Sequence, residues 1–327
     1  MRRLPELAAP LVLVFVTAAV ASGVSTAHRL EFATALIMVG VVVALYVFVG
    51  NSGVISFGHM SFVAAGAYLA GLVSLDPETK GFTTPELFPV LKHAQIGLVP
   101  SLGLAAAVGA VYALVVGLPL MRLSGLPAGI ATLAVLGITY NVLSYWGKIG
   151  PGVQTITGVP EASVWELAVG VAIVVVAAYG YQRSRFGRVL RATREDPPAA
   201  RASGISIYRE RLVAFTLSGA LAGLAGGLYV HMLGLLQPDL FYLDLTLVTL
   251  AMLVFGGVGS LWGAVIGALA ISALNSFLGD AENTVDIGFR LTLPNGTRLV
   301  TVGAVMALVL ILRPSGLTGG REFGWRR

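Results

Sequence analysis

Residues 183–211 read RSRFGRVLRATREDPPAARASGISIYRER, with arginine at positions 183, 185, 188, 191, 194, 201, 209 and 211 against three acids, Glu195, Asp196 and Glu210. Nowhere else in the 327 residues does charge gather in this way, and the flanking sequence is almost uncharged and apolar. Charge is costly inside a bilayer, so this stretch must stay in water while its flanks enter hydrocarbon. It reads as a cytosolic loop between two membrane helices, with six spans expected before it and four after it.

Composition agrees. The chain is 56% hydrophobic and 11% charged, against roughly 45–50% and about 25% in soluble domains. The expected fold is therefore all-α: a polytopic helical membrane bundle forming one transmembrane domain over residues 1–327, with 183–211 as a cytosolic loop within it. More than a third of the 21 basic residues lie in that loop, a pattern of topology determination that argues against nucleic acid as the partner of the positive charge. With no cysteine, disulfides, thiol nucleophiles and iron–sulfur ligation are excluded.

Residues 1–23 combine Arg2 and Arg3 with an apolar core and Ala19-Val20-Ala21, a segment like a signal-cleavage site. Further spans follow directly, and a first spanning helix is expected instead. Residues 32–49 form a second span, and the polar turn Gly50-Asn51-Ser52-Gly53 returns the chain to the cytosolic side. Residues 54–75 carry no charge but contain Ser56, Gly58, His59, Ser61, Gly66, Tyr68 and Gly71, which suit close helix approach or a broken helix. An outer loop, 76–93, leads to spans at 94–118 and 127–145, with Arg122 between them on the cytosolic side. A second outer loop, 146–160, precedes the span at 161–181.

Beyond the arginine loop, residues 212–236 carry Gly219, Gly223, Gly226 and Gly227, which leave one helix face nearly flat. Spans at 245–255, 261–278 and 299–312 follow, with outer segments at 237–244 and 279–298 and an inner turn at Gly256-Gly257-Val258-Gly259-Ser260. About ten transmembrane helices result, with both termini cytosolic, consistent with Arg2, Arg3, Arg122, the loop and the basic tail Trp325-Arg326-Arg327 sharing one side. Two glycine–alanine segments, Ser56 to Ala67 and Ser260 to Ala268, are faintly similar, as in a repeat or by chance in an Ala/Gly-rich chain.

Chemistry is sparse. No phosphate-binding G-x-x-x-x-G-K-[ST] loop occurs; Gly147-Lys148 is followed by Ile149. No intramembrane carboxylate of the kind used in proton coupling stands out. His59 and His231 lie in apolar spans, where a histidine serves either as a relay or as a hydrogen-bonding strut; neither has a second ligand at helical spacing for a metal. No cofactor and no enzymatic site are expected in this chain. Within 183–211, two short helices separated by Glu195-Asp196 and Pro197-Pro198, with Gly204 as a stop, suit a plain positive-inside determinant or a surface for another protein.

The loop resembles the signature of LivM-type permeases, the membrane subunits of branched-chain amino acid ABC importers. The matching residues run from Ser184 through Gly187, Arg188, Arg191, Arg194-Glu195-Asp196 and Ala199-Ala200 to Gly204-Ile205. Asn51-Ser52-Gly53 with Ser56, Gly58-His59 and Gly66-Ala67-Tyr68, then Thr132-Leu133, Ala222-Gly223-Leu224-Ala225-Gly226, the 256–260 turn and Arg313-Pro314-Ser315-Gly316-Leu317 resemble further family motifs, so the likeness covers most of the chain.

The resemblance implies a multi-pass permease of the prokaryotic inner membrane that pairs with a homologous LivH-type permease, two ATP-binding subunits carrying ATP and magnesium, and a soluble substrate-binding protein. Gly187, Arg188, Arg191, Arg194, Glu195, Asp196 and Gly204 would couple to the ATPase. Ser56, Gly58, His59, Ser61, Tyr68 and Thr132 would border the substrate pathway. Two departures, Gly150-Pro151-Gly152 followed by Thr157-Gly158 and Leu126-Pro127, fall near that pathway and bear on the cargo, which in related permeases includes urea, amides and aromatic acids. An ion-coupled secondary carrier is the alternative from another class.

Overall fold

The computed structural model describes residues 4–149, 152, 154–282, 285–286, 290–291, 297–320 and 322. Arg2, Arg3, the Gly150-Pro151 departure and the Trp325-Arg326-Arg327 tail lie outside the described residues.

The chain folds almost entirely into helices. The first seven are α1 (Leu4–Gly23), α2 (Thr26–Ser52), α3 (His59–Ser74), α4 (Pro77–Thr83), α5 (Pro89–His93), α6 (Leu98–Leu120) and α7 (Leu126–Tyr145). After the short strand β1 (Ile156–Thr157) come α8 (Val164–Arg183), α9 (Arg185–Glu195), α10 (Pro197–Ala202) and α11 (Ile207–Leu233). Strand β2 (Leu235–Leu236), a 3-10 turn (Pro238–Phe241), α12 (Leu243–Gly256), α13 (Leu261–Glu282) and α14 (Thr297–Leu312) complete the order.

Eight helices among the described residues are long and apolar enough to cross a membrane, or nine if α3 and α4, bent by 118°, count as one broken span. Ten were expected; α12 reaches spanning length only with the 3-10 turn before it, as Pro238–Gly256, and the two that fall short are α3 and α14, each 16 residues. At about 1.5 Å per residue such a helix falls short of a roughly 30 Å hydrocarbon core. For α3 the cause is visible: the expected span began at Val54, but residues 54–58 are non-helical and the helix starts at His59. Gly53, with φ +70°, closes α2 and opens this break.

The centre of the bundle is α2, α3 and α11. Leu36 to Val49 of α2 is almost wholly buried, charge-free and large-chained, so it packs on every side. On α6, Ser101, Ala105, Gly109, Ala113 and Gly117 recur every four residues and are the buried ones. This small-residue stripe meets Gly219 and Gly223 of α11 so closely that a methyl on Gly223 would lie 3.1 Å from the Gly109 Cα and collide with the Ala105 carbonyl. Without a hydrophobic drive between helices in lipid, such close backbone approach supplies the packing attraction. The outer faces of α1, α6, α7 and α8 carry exposed Phe15, Val16, Val111, Val115, Ile130, Ile138, Val169 and Ile173, as lipid-facing surfaces require.

Loops sort to two ends as the charge pattern predicted. At one end the arginine loop meets the turn after α2, with Arg194 bonded to the Gly50 carbonyl. Arg211 and Tyr208 reach the carbonyls of Leu123 and Leu118 there, and Arg183 pairs with Glu6 of α1. Leu317 and Thr318 donate to the carbonyls of Phe255 and Gly256, and Glu322 accepts from the Leu261 and Trp262 amides at the start of α13. At the opposite end β1 pairs antiparallel with β2, and Phe88 donates to the Lys148 carbonyl.

Candidate functional site

The arginine loop is built by local rules. Ser184 caps α9, its hydroxyl accepting from the Gly187 amide at 3.2 Å. Gly187 sits so close to the end of α8 that a methyl there would be 2.9 Å from the Gln182 Cα and would collide with the Tyr181 carbonyl. Only glycine lets α9 fold back across α8 at this point. Asp196 caps α10, accepting from the Ala199 amide at 3.0 Å, and the two prolines occupy the first helical positions, where their missing amide hydrogen costs nothing. The prolines were expected to stop the first helix; they start the second. Gly204, at φ +77°, ends the unit.

The loop has two faces. Arg188 donates to the Arg183 carbonyl at 2.8 Å and Arg191 to the Gln182 carbonyl at 2.5 Å. Arg194 donates to the Gly50 carbonyl at 2.8 Å, and its aliphatic stem packs over Gly53. These carbonyls are the orphan acceptors at the C-terminal ends of α8 and α2, where the helix dipole favours a cation. Gln182 in turn accepts from the Tyr46 hydroxyl at 2.7 Å inside α2. Arg185, Phe186, Arg188, Glu195, Asp196 and Arg201 are exposed. The result is a basic outer surface with an aromatic on it, bolted by Arg191 and Arg194 onto two core helices.

Four of the six expected pathway residues, Ser56, Gly58, His59 and Thr132, come together at the junction of α2, α3, α7 and α11. His59 is 2% exposed, with Nδ1 2.8 Å from Ser56 Oγ and Nε2 2.7 Å from Ser218 Oγ. Ser218 donates to the Ala44 carbonyl at 2.6 Å, so its oxygen accepts from His59 Nε2–H, and Nδ1 accepts from Ser56. The imidazole is thereby fixed as a neutral tautomer with both nitrogens satisfied. Phe48 stacks on it at 5.7 Å, and Phe62 and Phe215 meet it edge-on. Thr132 accepts from the Phe57 amide at 3.1 Å and donates to the Gly129 carbonyl, clipping the break before α3 to α7. Gly58 packs on the Thr132 backbone, where a methyl would sit 2.5 Å from its carbonyl oxygen.

Ser61 and Tyr68 differ. Both are almost fully buried, and neither hydroxyl has a hydrogen-bond partner among the described residues. Seven residues apart on α3, they share one face. Tyr68 lies beyond the histidine junction, with its ring 6.4 Å from Phe241.

Three participants escaped the sequence reading. Ser218 is one position from Gly219 in a run read only for its glycines, Tyr46 is an aromatic in an apolar span, and Glu322 lies in a tail read for its positive charge. His231 is a strut at the opposite end, bonded to the Pro160 carbonyl at 2.8 Å and to Ser101 at 3.1 Å.

A family model described as branched-chain amino acid transport system / permease component matches residues 30–312. The chain is 27% identical over 309 residues to the high-affinity branched-chain amino acid transport system permease protein LivM of Salmonella typhimurium and 26% identical to that of Escherichia coli. Each match covers 84% of this chain and 65% of the relative, so the chain spans just under two thirds of those proteins. It is also 28% identical over 304 residues to the autoinducer 2 import system permease protein LsrC of an Enterobacter species, covering 86% of this chain and 84% of that protein. No solved structure matches the chain.

Proposed function

The chain belongs to the branched-chain amino acid transport system permease family, a family of non-catalytic, multi-pass inner-membrane subunits, and on that premise we propose that it forms half of the translocation pathway of an ATP-driven importer. Its partners are a LivH-type permease, two ATP-binding subunits that hold ATP and magnesium, and a soluble substrate-binding protein. Both termini and residues 183–211 face the cytosol. The cargo is a branched-chain or related amino acid.

The observation that carries this reading is the two-faced arginine loop. A positive-inside determinant needs charge near helix ends and no particular fold. Here Ser184, Gly187, Asp196 and Gly204 build two helices, Arg191 and Arg194 fasten them to α8 and α2, and Phe186, half exposed among arginines, faces outward. Such a surface suits reception of force from an ATPase and delivery of it to α2. Gly187, Gly204 and the Glu195-Asp196 pair shape it, and Arg188 presents charge to the partner. In reconstituted vesicles with the partner subunits, Arg188→Glu should abolish ATP-dependent uptake while the protein inserts normally; normal uptake would remove the coupling assignment.

Along the pathway, His59 with Ser56, Gly58 and Thr132 anchors the break before α3. Ser61 and Tyr68 carry the contact with cargo, because buried hydroxyls without partners are the groups that a passing solute or water can satisfy. A second reading, the same importer type with another cargo, is favoured by the likeness to LsrC, whose name specifies import of autoinducer 2. Uptake assays with labelled leucine and with other solutes in the same vesicles separate the two.

A further inference from the structure

At the end opposite the arginine loop, α2, α11, α12, α13 and the 3-10 turn enclose a cleft of about 560 Å³. Glu31 from α2, Asp239 from the 3-10 turn and Asp244 from the first turn of α12 line it, and no lysine, arginine or histidine does. Glu31 is held by Ser276 and by His28, and Asp239 by the Tyr140 hydroxyl at 2.7 Å and by Gln237. Asp244 has no hydrogen-bond partner among the described residues. The dipole of α12 explains a carboxylate at that position; it does not explain Tyr229. That side chain lines the same cleft, is only 8% exposed, and has no hydrogen-bond partner for its hydroxyl among the described residues.

The cleft has apolar lining beside its polar groups, which also include Thr34, Ser272 and Asn275. Eight residues separate Asp244 from Met252 on α12, about 12 Å along the helix, and the lining between them is Leu245 and Val248, with Met38 of α2 opposite. Among the described residues no three acidic or histidine side chains gather closely enough for a metal ion. With Glu31 and Asp239 already bonded, Asp244 is the carboxylate left for a compact hydrogen-bonding cation, and Leu245, Val248 and Met38 suit a short hydrocarbon tail.

We propose that this cleft is a binding site for a primary ammonium group carried on a short aliphatic chain, with Asp244 as its charge partner and the Tyr229 hydroxyl as a further acceptor. The assignment is tested apart from the importer reading, because the probe is an amine without a carboxylate and the readout is binding, not uptake.

The test is titration of the purified full-length protein in lipid nanodiscs with 3-methylbutylamine, followed by calorimetry or ligand-observed NMR, with 4-methylpentanoate as the anion of matching shape. The amine should bind saturably and the anion should not. Asp244→Asn should weaken binding about tenfold and Tyr229→Phe about threefold, as expected for loss of a charge-assisted and a neutral hydrogen bond. Asp244→Glu should stay within about threefold of the parent. Because Tyr229→Phe keeps the ring that packs on Phe241, it reports even if an Asp244 variant misfolds. Absence of amine binding, equal binding of the anion, or amine binding unchanged in folded Asp244→Asn and Tyr229→Phe proteins would overturn the assignment.

Discussion

Arg194 Nη1 lies 2.8 Å from the carbonyl oxygen of Gly50, joining the arginine loop to the end of α2 across 144 positions of sequence. The acceptor belongs to the last turn of the most enclosed helix in the bundle, and the neighbouring Gly53 leaves room for the arginine stem. In the coupling proposed for the loop, this bond is the link through which α9 would pull on α2.

Arg194→Gln should therefore separate docking from transport. A hydrogen bond from a charged donor contributes about 1.5–3 kcal/mol, so its loss should lower uptake about tenfold or more while the ATPase subunits still co-purify. Uptake equal to the parent would show that the Gly50 link does not transmit motion.

His59→Ala should act on stability. It removes a ring enclosed by Phe48, Phe62 and Phe215 and strips partners from Ser56 and Ser218, at a cost of about 3 kcal/mol. Thermal unfolding in detergent should shift down, with transport per folded molecule retained. Slowed transport at an unchanged Tm would return His59 to the pathway.

Tyr68→Phe should do the reverse. Removing a buried hydroxyl that has no partner among the described residues leaves stability unchanged or raised, while uptake slows if the hydroxyl meets the cargo. Parent-like uptake would take Tyr68 out of the pathway.

Gly223→Ala tests the central packing. The added methyl meets the Ala105 carbonyl and the Gly109 Cα, and overpacking of this kind costs about 1–3 kcal/mol. The yield of folded protein and the Tm should both fall; an unchanged Tm would mean that the contact between α6 and α11 is looser than described.

Most of the spanning helices, and the grouping of the arginine-bearing loops at one end, were legible because hydropathy and arginine placement act over whole segments. Arg122 and the 183–211 cluster put their loops at one end, and the contacts of Tyr208 with Leu118 and of Arg194 with Gly50 bear this out. The two loop helices were legible as well from Pro197-Pro198 and Gly204, although the prolines open the second helix and Ser184 supplies the cap of the first. What composition could not mark was where α3 begins: residues 54–58 were expected within the span, and the non-helical stretch there is held by Thr132, 75 positions away from Phe57. The His59–Ser218 bond and the Glu322 cap on α13 are likewise long-range pairings of ordinary residues. No spacing rule picks them out of a single sequence.

The most direct measurement is affinity purification of the tagged protein from its native membranes in mild detergent, with identification of everything recovered. An ABC-type ATPase subunit and a second, homologous permease should come with it, and ATP should drive uptake when the recovered complex is placed in vesicles. Recovery of the protein alone, moving solute under an ion gradient, would contradict the importer and leave the arginine loop without a partner.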